Sequence, residues 1–240
     1  MSIYVLIHGA WHGSWCWNKV VPLLEQAGHK VLTPDLPGHG DDQTSPSEIL
    51  LQSYVEHVCQ ILEKQSEPVY LVGHSMGGIV ISQAAEYQPD KINTLVYLTA
   101  FLLQNGESLY QVAQGDTESL FPPNLIINEA QGSCTVREDA IKDIFYADCT
   151  NTDVAQAKSL LRPQAFAPFT TPINITEEKF NQLPRVYIEC LRDKAISPSL
   201  QKRMYTALPC QQVISMDTSH SPFFSAPEKL VEHLMGLEHS

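Results

Sequence analysis

The 240-residue chain is short of positive charge: 15 Lys and Arg face 27 Asp and Glu, for a net charge of −12. No basic cluster offsets this, which argues against nucleic acid or an anionic membrane surface as partner. A polyanionic ligand would also be repelled, so a neutral or weakly charged one is expected. Long apolar runs are missing. None approaches the ~20 residues of a membrane span. The opening Met1-Ser2-Ile3-Tyr4-Val5-Leu6-Ile7-His8 has no basic n-region and no cleavage site, so it reads as a first strand and not as a leader. The six cysteines, Cys16, Cys59, Cys134, Cys149, Cys190 and Cys210, contain no C-x-x-C pair. Their scatter speaks against a structural zinc site and for free thiols in a reducing compartment, the cytoplasm. No cofactor and no metal are expected, and internal repeats and low-complexity tracts are absent.

What is present suits one globular α/β domain: 43% hydrophobic and 18% charged residues over this length. Ile3–His8 is a strand ending at a glycine. A loop follows, His8-Gly9-Ala10-Trp11-His12-Gly13-Ser14-Trp15-Cys16-Trp17, with aromatic residues around two glycines. The spacing of Val20, Val21, Leu24 and Ala27 predicts a helix that stops at Gly28. Lys30–Thr33 reads as a short strand. Ser53-x-x-Glu56 has the form of a capping box, and Tyr54, Val55, Val58, Ile61 and Leu62 share one helical face. Strands are predicted at Val69–Val72 and Ile92–Leu98, with a helix between them to about Tyr87. This β-α alternation argues for a parallel sheet of about six strands flanked by helices.

The rhythm breaks from about Leu102 to Leu183, where no strong strand run appears. Short helical segments, Asp139–Tyr146 and Asp153–Leu161 the clearest, lie among proline-containing loops. So long a structureless loop is implausible inside one domain. The stretch is therefore expected to be a helical cap, residues 102–183, inserted into a core of residues 1–101 and 184–240. Alternation resumes with a strand at Arg185–Glu189, a helix at Ser199–Ala207, a strand at Gln211–Met216 and a terminal helix at Ala226–Leu237.

The chemistry centres on Gly73-His74-Ser75-Met76-Gly77. A β-branched run precedes it and a small-residue helix follows, which is the strand–turn–helix setting of a nucleophile elbow. The hydroxyl of Ser75 would stand above the sheet at a helix N-terminus, where free N–H groups favour developing negative charge. A serine nucleophile needs a base and an orienting carboxylate, in the chain order Ser, acid, His. Asp193 follows the Arg185–Glu189 strand and His220 follows the last strand. Both therefore fall at the C-terminal sheet edge, where α/β sheets carry their sites. Glu189 is the rival acid but lies within the strand, and Asp217 more naturally caps its turn. Among the remaining histidines, His57 and His233 sit on predicted helices and His239 in the tail. Two convergent N–H groups, of Met76 and Ala10, are expected to form an oxyanion hole. Trp11 and His12 are candidate pocket residues, while packing is the expected role of Trp15 and Trp17.

With these sites placed, the chain resembles the α/β-hydrolases, in the branch of plant methyl esterases, hydroxynitrile lyases and bacterial pyrethroid hydrolases. The resemblance rests on the His8–Trp17 loop, Gly73-His74-Ser75-Met76-Gly77-Gly78, Ile92–Phe101, Tyr187-Ile188-Glu189-Cys190-Leu191-Arg192-Asp193 and Ser219-His220-Ser221-Pro222. It is weakest in the inserted stretch. In the lyases of this branch a threonine stands in the oxyanion loop and a lysine follows the base. Gly9-Ala10 and Ser221 occupy those places here, so the resemblance implies the esterase side. Arg192 and Lys194 flank Asp193, a departure open to two readings: the two cations are merely solvated, or they lower the pKa of the acid and keep it ionised.

The expected activity is a serine carboxylesterase acting on a small, neutral, hydrophobic ester, pyrethroid-like or methyl. Phe121, Leu125, Phe145, Leu160, Phe166 and Phe169 are candidates to shape the pocket. The alternatives are a hydroxynitrile lyase on the same scaffold, a ligand receptor with little turnover and, remotely, a cofactor-independent oxygenase. A homodimer is a further possibility, dimers being common among symmetric assemblies.

Overall fold

The computed structural model describes residues 1–239, His239 by its backbone alone, so the side chain of that tail histidine lies outside the described residues. The first part alternates as the sequence predicts: β1 (Ile3–Ile7), α1 (Val21–Gln26), β2 (Lys30–Leu32), α2 (Leu51–Glu63), β3 (Val69–His74), α3 (Gly77–Tyr87) and β4 (Ile92–Leu98). The segment that follows holds α4 (Leu109–Gln114), β5 (Leu125–Asn128), β6 (Ser133–Val136), α5 (Ile141–Phe145), α6 (Asn151–Leu160), β7 (Gln164–Ala165) and α7 (Ala167–Thr170). The chain then returns through β8 (Arg185–Cys190), α8 (Pro198–Ala207), β9 (Gln212–Met216), α9 (Pro222–Ser225) and α10 (Pro227–Gly236).

Six strands form one sheet in the order β2-β1-β3-β4-β8-β9, and every neighbouring pair is parallel. Burial explains the sequence of each strand. β1 and β3 are buried along their whole length, as continuous apolar runs require when helices cover a parallel sheet. The edge strands β2 and β9 are the exposed ones. α3 packs on β3 and β4, and α2 packs on α3. The loops at the C-terminal ends of β1, β3, β4, β8 and β9 therefore gather along one edge.

Two expectations change. Ser53 does not start its helix. It is the third helical residue, and its hydroxyl accepts from the N–H of Leu50 at 3.1 Å. The stretch 102–183 is not purely helical. β5, β6 and β7 form a small antiparallel sheet in which Leu125 pairs with Val136 and Cys134 with Gln164. β7 has only two residues, and its partner lies far away in sequence, so no local pattern announces it. Within that stretch α5 spans a single turn, Ile141–Phe145, shorter than the run of Asp139–Tyr146 suggests.

Candidate active site

β3 delivers the elbow. Ser75 adopts φ 53°, a left-handed conformation that costs a non-glycine residue strain, and such strain persists where the surroundings over-determine it. Only three non-glycine residues among those described have positive φ: Trp11 (62°), Ser75 and Thr99 (35°). All three stand at this sheet edge. Gly73 permits the turn, since a Cβ there would lie 2.7 Å from the carbonyl oxygen of Gly77. The elbow is tied to β4 by the Phe101 N–H, which donates to Ser75 O at 3.1 Å.

β8 and β9 deliver the other two groups. His220 Nδ1–H donates to Asp193 Oδ2 at 2.6 Å, both side chains being buried. The opposite carboxylate oxygen, Oδ1, accepts from the N–H groups of Ala195 at 2.6 Å and Ile196 at 3.0 Å. Thr99, at the end of β4, donates its hydroxyl to Oδ2. Asp193 is therefore a buried carboxylate whose oxygens are all hydrogen-bonded, as burial of a charge demands. With Nδ1 engaged, His220 keeps Nε2 for a proton. Ser75 Oγ has no hydrogen-bond partner among the described residues.

The loop after β1 brings Ala10 to the elbow. The backbone N–H groups of Ala10 and Met76 have no acceptor among the described residues, and both residues line one cleft with Ser75. Trp11, Phe101, Leu109, Phe121, Phe145, Phe169, Ala195 and Ile196 complete it. No charged side chain faces this space.

Neutral histidines pack behind it. His74 Nε2–H donates to the carbonyl of His220 at 2.9 Å, and burial holds its pKa well below the ordinary histidine value. His8 Nδ1–H donates to Gly9 O and its Nε2 accepts from Leu36 N–H; burial lowers its pKa too. His12 Nδ1–H donates to Ala10 O at 2.7 Å, while Tyr146 O–H donates to its Nε2 at 2.6 Å. Burial brings the His12 pKa down to about 3. Each ring meets one acceptor and one donor, or one acceptor and nothing, so each stays uncharged.

The family model described as alpha/beta hydrolase matches residues 4–233. The chain belongs to the alpha/beta hydrolase family. It is 34% identical over 237 residues to a pyrethroid hydrolase of Sphingobium wenxiniae, covering 95% of this chain and 84% of that one. It is 34% identical over 249 residues to methylesterase 2 of Arabidopsis thaliana, covering 98% and 95%. It also matches a chloroplastic Arabidopsis thaliana protein of the methylesterase group at 34% identity, where it spans 63% of that relative's length. Among solved structures it resembles a pyrethroid hydrolase from Sphingobium faniae, with TM-score 0.89 and 30% identity over 100% of this chain and 98% of that one. The relatives that share almost its whole length are carboxylic ester hydrolases by name.

Against this alpha/beta hydrolase frame, the predicted residues sort as follows. Ser75, Asp193, His220, Ala10, Met76, Trp11, Phe121 and Phe145 gather at the cleft or directly behind it. Phe166 does not line it; its ring stacks edge-on against Tyr110 at 5.2 Å and faces a surface hollow beside Ser47 and Gly132. His12 lies beneath the cleft, capped by Tyr146, and lines nothing. Leu160 is exposed and Leu125 only half-buried in β5. Neither Arg192 nor Lys194 pairs with Asp193 among the described residues. Arg192 turns outward to Asp217 at 2.9 Å and Asp148 at 3.5 Å, and Lys194 is exposed. Glu189, the rival acid, accepts instead from Tyr205 and Ser215 hydroxyls. Trp15 and Trp17 pack, against His12 and Phe223 respectively. All six cysteines are free.

Sequence reasoning missed two groups. Thr99 carries no motif, and only its position at the end of β4, beside β8, brings it to Asp193. Asp148, from the inserted segment, accepts from the N–H of Ser219 at 2.8 Å and from the Ser219 hydroxyl, which steadies the loop of His220.

Proposed function

We propose that this chain is a serine carboxylesterase that hydrolyses a neutral, hydrophobic carboxylic ester, of the pyrethroid-like or methyl-ester kind. The observation that carries this is the buried His220–Asp193 bond with Nε2 left free, at the sheet edge where the strained Ser75 enters an uncharged cleft. Ser75 Oγ attacks the ester carbonyl and His220 Nε2 takes its proton. Asp193 holds the imidazole tautomer and offsets the imidazolium charge. The N–H groups of Ala10 and Met76 receive the oxyanion. His220 then protonates the departing alcohol. It next deprotonates the water that attacks the acyl-enzyme.

Residues 102–183 act as a cap in this reading, because Leu109, Phe121, Phe145 and Phe169 of that segment wall the cleft. An apolar wall, together with the net charge of −12, supports an uncharged substrate. Ser221 stands where the lyases of this branch keep lysine. It is buried and its hydroxyl is unpartnered, so it offers departing cyanide no cation. Among the described residues no helix is long and apolar enough to cross a membrane, and the free cysteines fit a reducing compartment such as the cytoplasm. A homodimer is the assembly we would test first. The decisive experiment labels the enzyme with a fluorophosphonate and follows p-nitrophenyl butyrate turnover. Ser75→Ala should lose both while keeping the wild-type circular dichroism. Retained turnover sinks the assignment.

A further inference from the structure

We infer that Gln164 is a positioning residue for the oxyanion site: together with Cys134 and Arg162 it holds Trp11, and through Trp11 the N–H of Ala10, in place. The inference rests on the serine-esterase reading above. Trp11 has φ 62°, a conformation that a bulky side chain adopts only under constraint. Every polar group of this residue is bound by the inserted segment. Its N–H donates to Gln164 Oε1 at 3.4 Å, its carbonyl accepts from Arg162 N–H at 3.0 Å, and its indole Nε1–H donates to the Cys134 carbonyl at 3.0 Å. No group of the sheet domain hydrogen-bonds to it.

The three tethers share one origin. Cys134 and Gln164 are register partners in the small antiparallel sheet, and Arg162 lies two residues before Gln164. The amide of Gln164 is itself fixed. Its Nε2 donates to the Tyr54 hydroxyl at 2.9 Å and to Ala165 O at 2.8 Å, so Oε1 must face His39 Nε2 at 2.8 Å and the N–H of Trp11. The side chain is fully buried, with every donor and acceptor used.

This reaches the oxyanion site through two consecutive peptides. The peptide joining Ala10 to Trp11 is held at its carbonyl by His12 and at its N–H by Gln164. The preceding peptide is held at Gly9 O by His8, which leaves the N–H of Ala10 facing the cleft. His8 and His12 fix one side of this ribbon and Gln164 fixes the other. Release of Trp11 lets its φ relax toward negative values, and the Ala10 N–H swings with it.

The test is Gln164→Met, of similar length but without polar atoms, with Gln164→Glu as the variant that keeps an acceptor toward Trp11. Turnover of p-nitrophenyl butyrate is measured beside inhibition by an alkyl trifluoromethyl ketone and by the matching methyl ketone. The trifluoromethyl ketone adds Ser75 Oγ to its carbonyl carbon and passes the serine proton to His220, so its oxygen becomes the oxyanion. The methyl ketone binds without that charge. Gln164→Met is expected to lower kcat about tenfold, a partial loss of a donor whose full removal costs ~10²-fold. KM should stay within about twofold, the trifluoromethyl ketone should weaken in proportion to kcat, and the methyl ketone should not change. Gln164→Glu should recover most of the loss. Unchanged kcat and unchanged trifluoromethyl-ketone affinity in a folded Gln164→Met overturn the inference, as does a raised KM with intact kcat. A separate arm needs no turnover: the indole N–H resonance of Trp11 in a ¹⁵N spectrum should shift and exchange faster in Gln164→Met, and an unmoved, protected resonance overturns the tether. Wild-type protein that neither turns over esters nor takes the fluorophosphonate would sink the esterase reading alone, and the indole arm still decides whether Gln164 holds Trp11.

Discussion

Thr99 donates its hydroxyl to the same carboxylate oxygen of Asp193 that accepts the Nδ1–H of His220. Two donors on one oxygen, with two backbone N–H groups on the other, hold the carboxylate from four directions. A hydrogen bond to a buried charged group contributes about 1.5–3 kcal/mol. Thr99→Val should therefore cost roughly tenfold in kcat at unchanged KM, since about 1.4 kcal/mol is a factor of ten. Thr99→Ser should restore the rate. Steady-state kinetics on p-nitrophenyl butyrate decide it, and a Val variant with wild-type kcat would show that the backbone donors suffice.

Arg192 provides the contrasting case. It neighbours Asp193 in sequence but pairs outward with Asp217 and Asp148. Exposed pairs of this kind contribute only about 0–1 kcal/mol. Arg192→Gln should keep kcat/KM within about twofold of wild type and leave its pH profile in place. A shifted acidic limb in that profile would mean that the guanidinium does reach Asp193.

Gly78 begins the packing of α3 onto the end of β4. A Cβ there would collide with the backbone of Phe101, whose N–H already holds Ser75 O. Backbone cannot yield as a flexible side chain does. Gly78→Ala should destabilise the fold by about 1–3 kcal/mol, the usual cost of overpacking, and lower kcat by displacing the elbow. Urea denaturation reads the first effect and fluorophosphonate labelling rate the second; an unchanged urea midpoint contradicts the close approach.

The buried histidines give stability a pH dependence of definite sign. His8, His12 and His74 have folded-state pKa values below the ordinary histidine value, that of His12 at about 3, because burial opposes the charged ring. The unfolded chain takes up protons near pH 6.5, whereas the native protein does not. Stability is thus fully present above that pH and declines as pH falls below it, by up to about 1.4 kcal/mol per pH unit for each such histidine. Urea midpoints measured at pH 7.5, 6 and 5 should fall steadily. The slope should be shallower in His12→Gln. A flat profile over this window would mean that these rings ionise in the native state.

Much of this was readable from sequence, for identifiable reasons. Strands buried on both faces must be continuous apolar runs, as β1 is throughout, β3 is from Val69 to Val72 and β4 is from Leu95 onward. The turn at Ser75 is legible because its tight backbone demands glycine at fixed offsets, and the placement of Asp193 and His220 at the same sheet edge follows from counting strands. What stayed hidden depends on contacts that sequence distance does not encode. Thr99 matters only because β4 is the neighbour of β8. The strands β5 to β7 exist only as a set, and a two-residue strand has no pattern of its own. Phe166 and Phe169 sit three residues apart in one short turn of chain, yet only Phe169 enters the cleft. Of the two readings open for Arg192 and Lys194, sequence could not say which partners they take: Arg192 pairs with Asp217 and Asp148, and Lys194 is exposed.

The segment 102–183 leaves the sheet after β4 and rejoins it at β8, and these two strands are hydrogen-bonded neighbours. Because the two strands run parallel, the segment departs from the C-terminal end of β4 and returns at the N-terminal end of β8, so it carries the chain back across the sheet from one edge to the other. A piece of chain that leaves and rejoins the sheet between two paired strands is a natural unit of exchange, provided its replacement still makes the crossover that parallel strands require. Trp11 makes that exchange incomplete, because a transplanted segment would bring new cleft walls but not the grip of Arg162, Gln164 and Cys134 on the loop beside Ala10. In a chimera, preference and speed would travel as one inheritance, and a donor segment chosen for its walls alone would arrive slow.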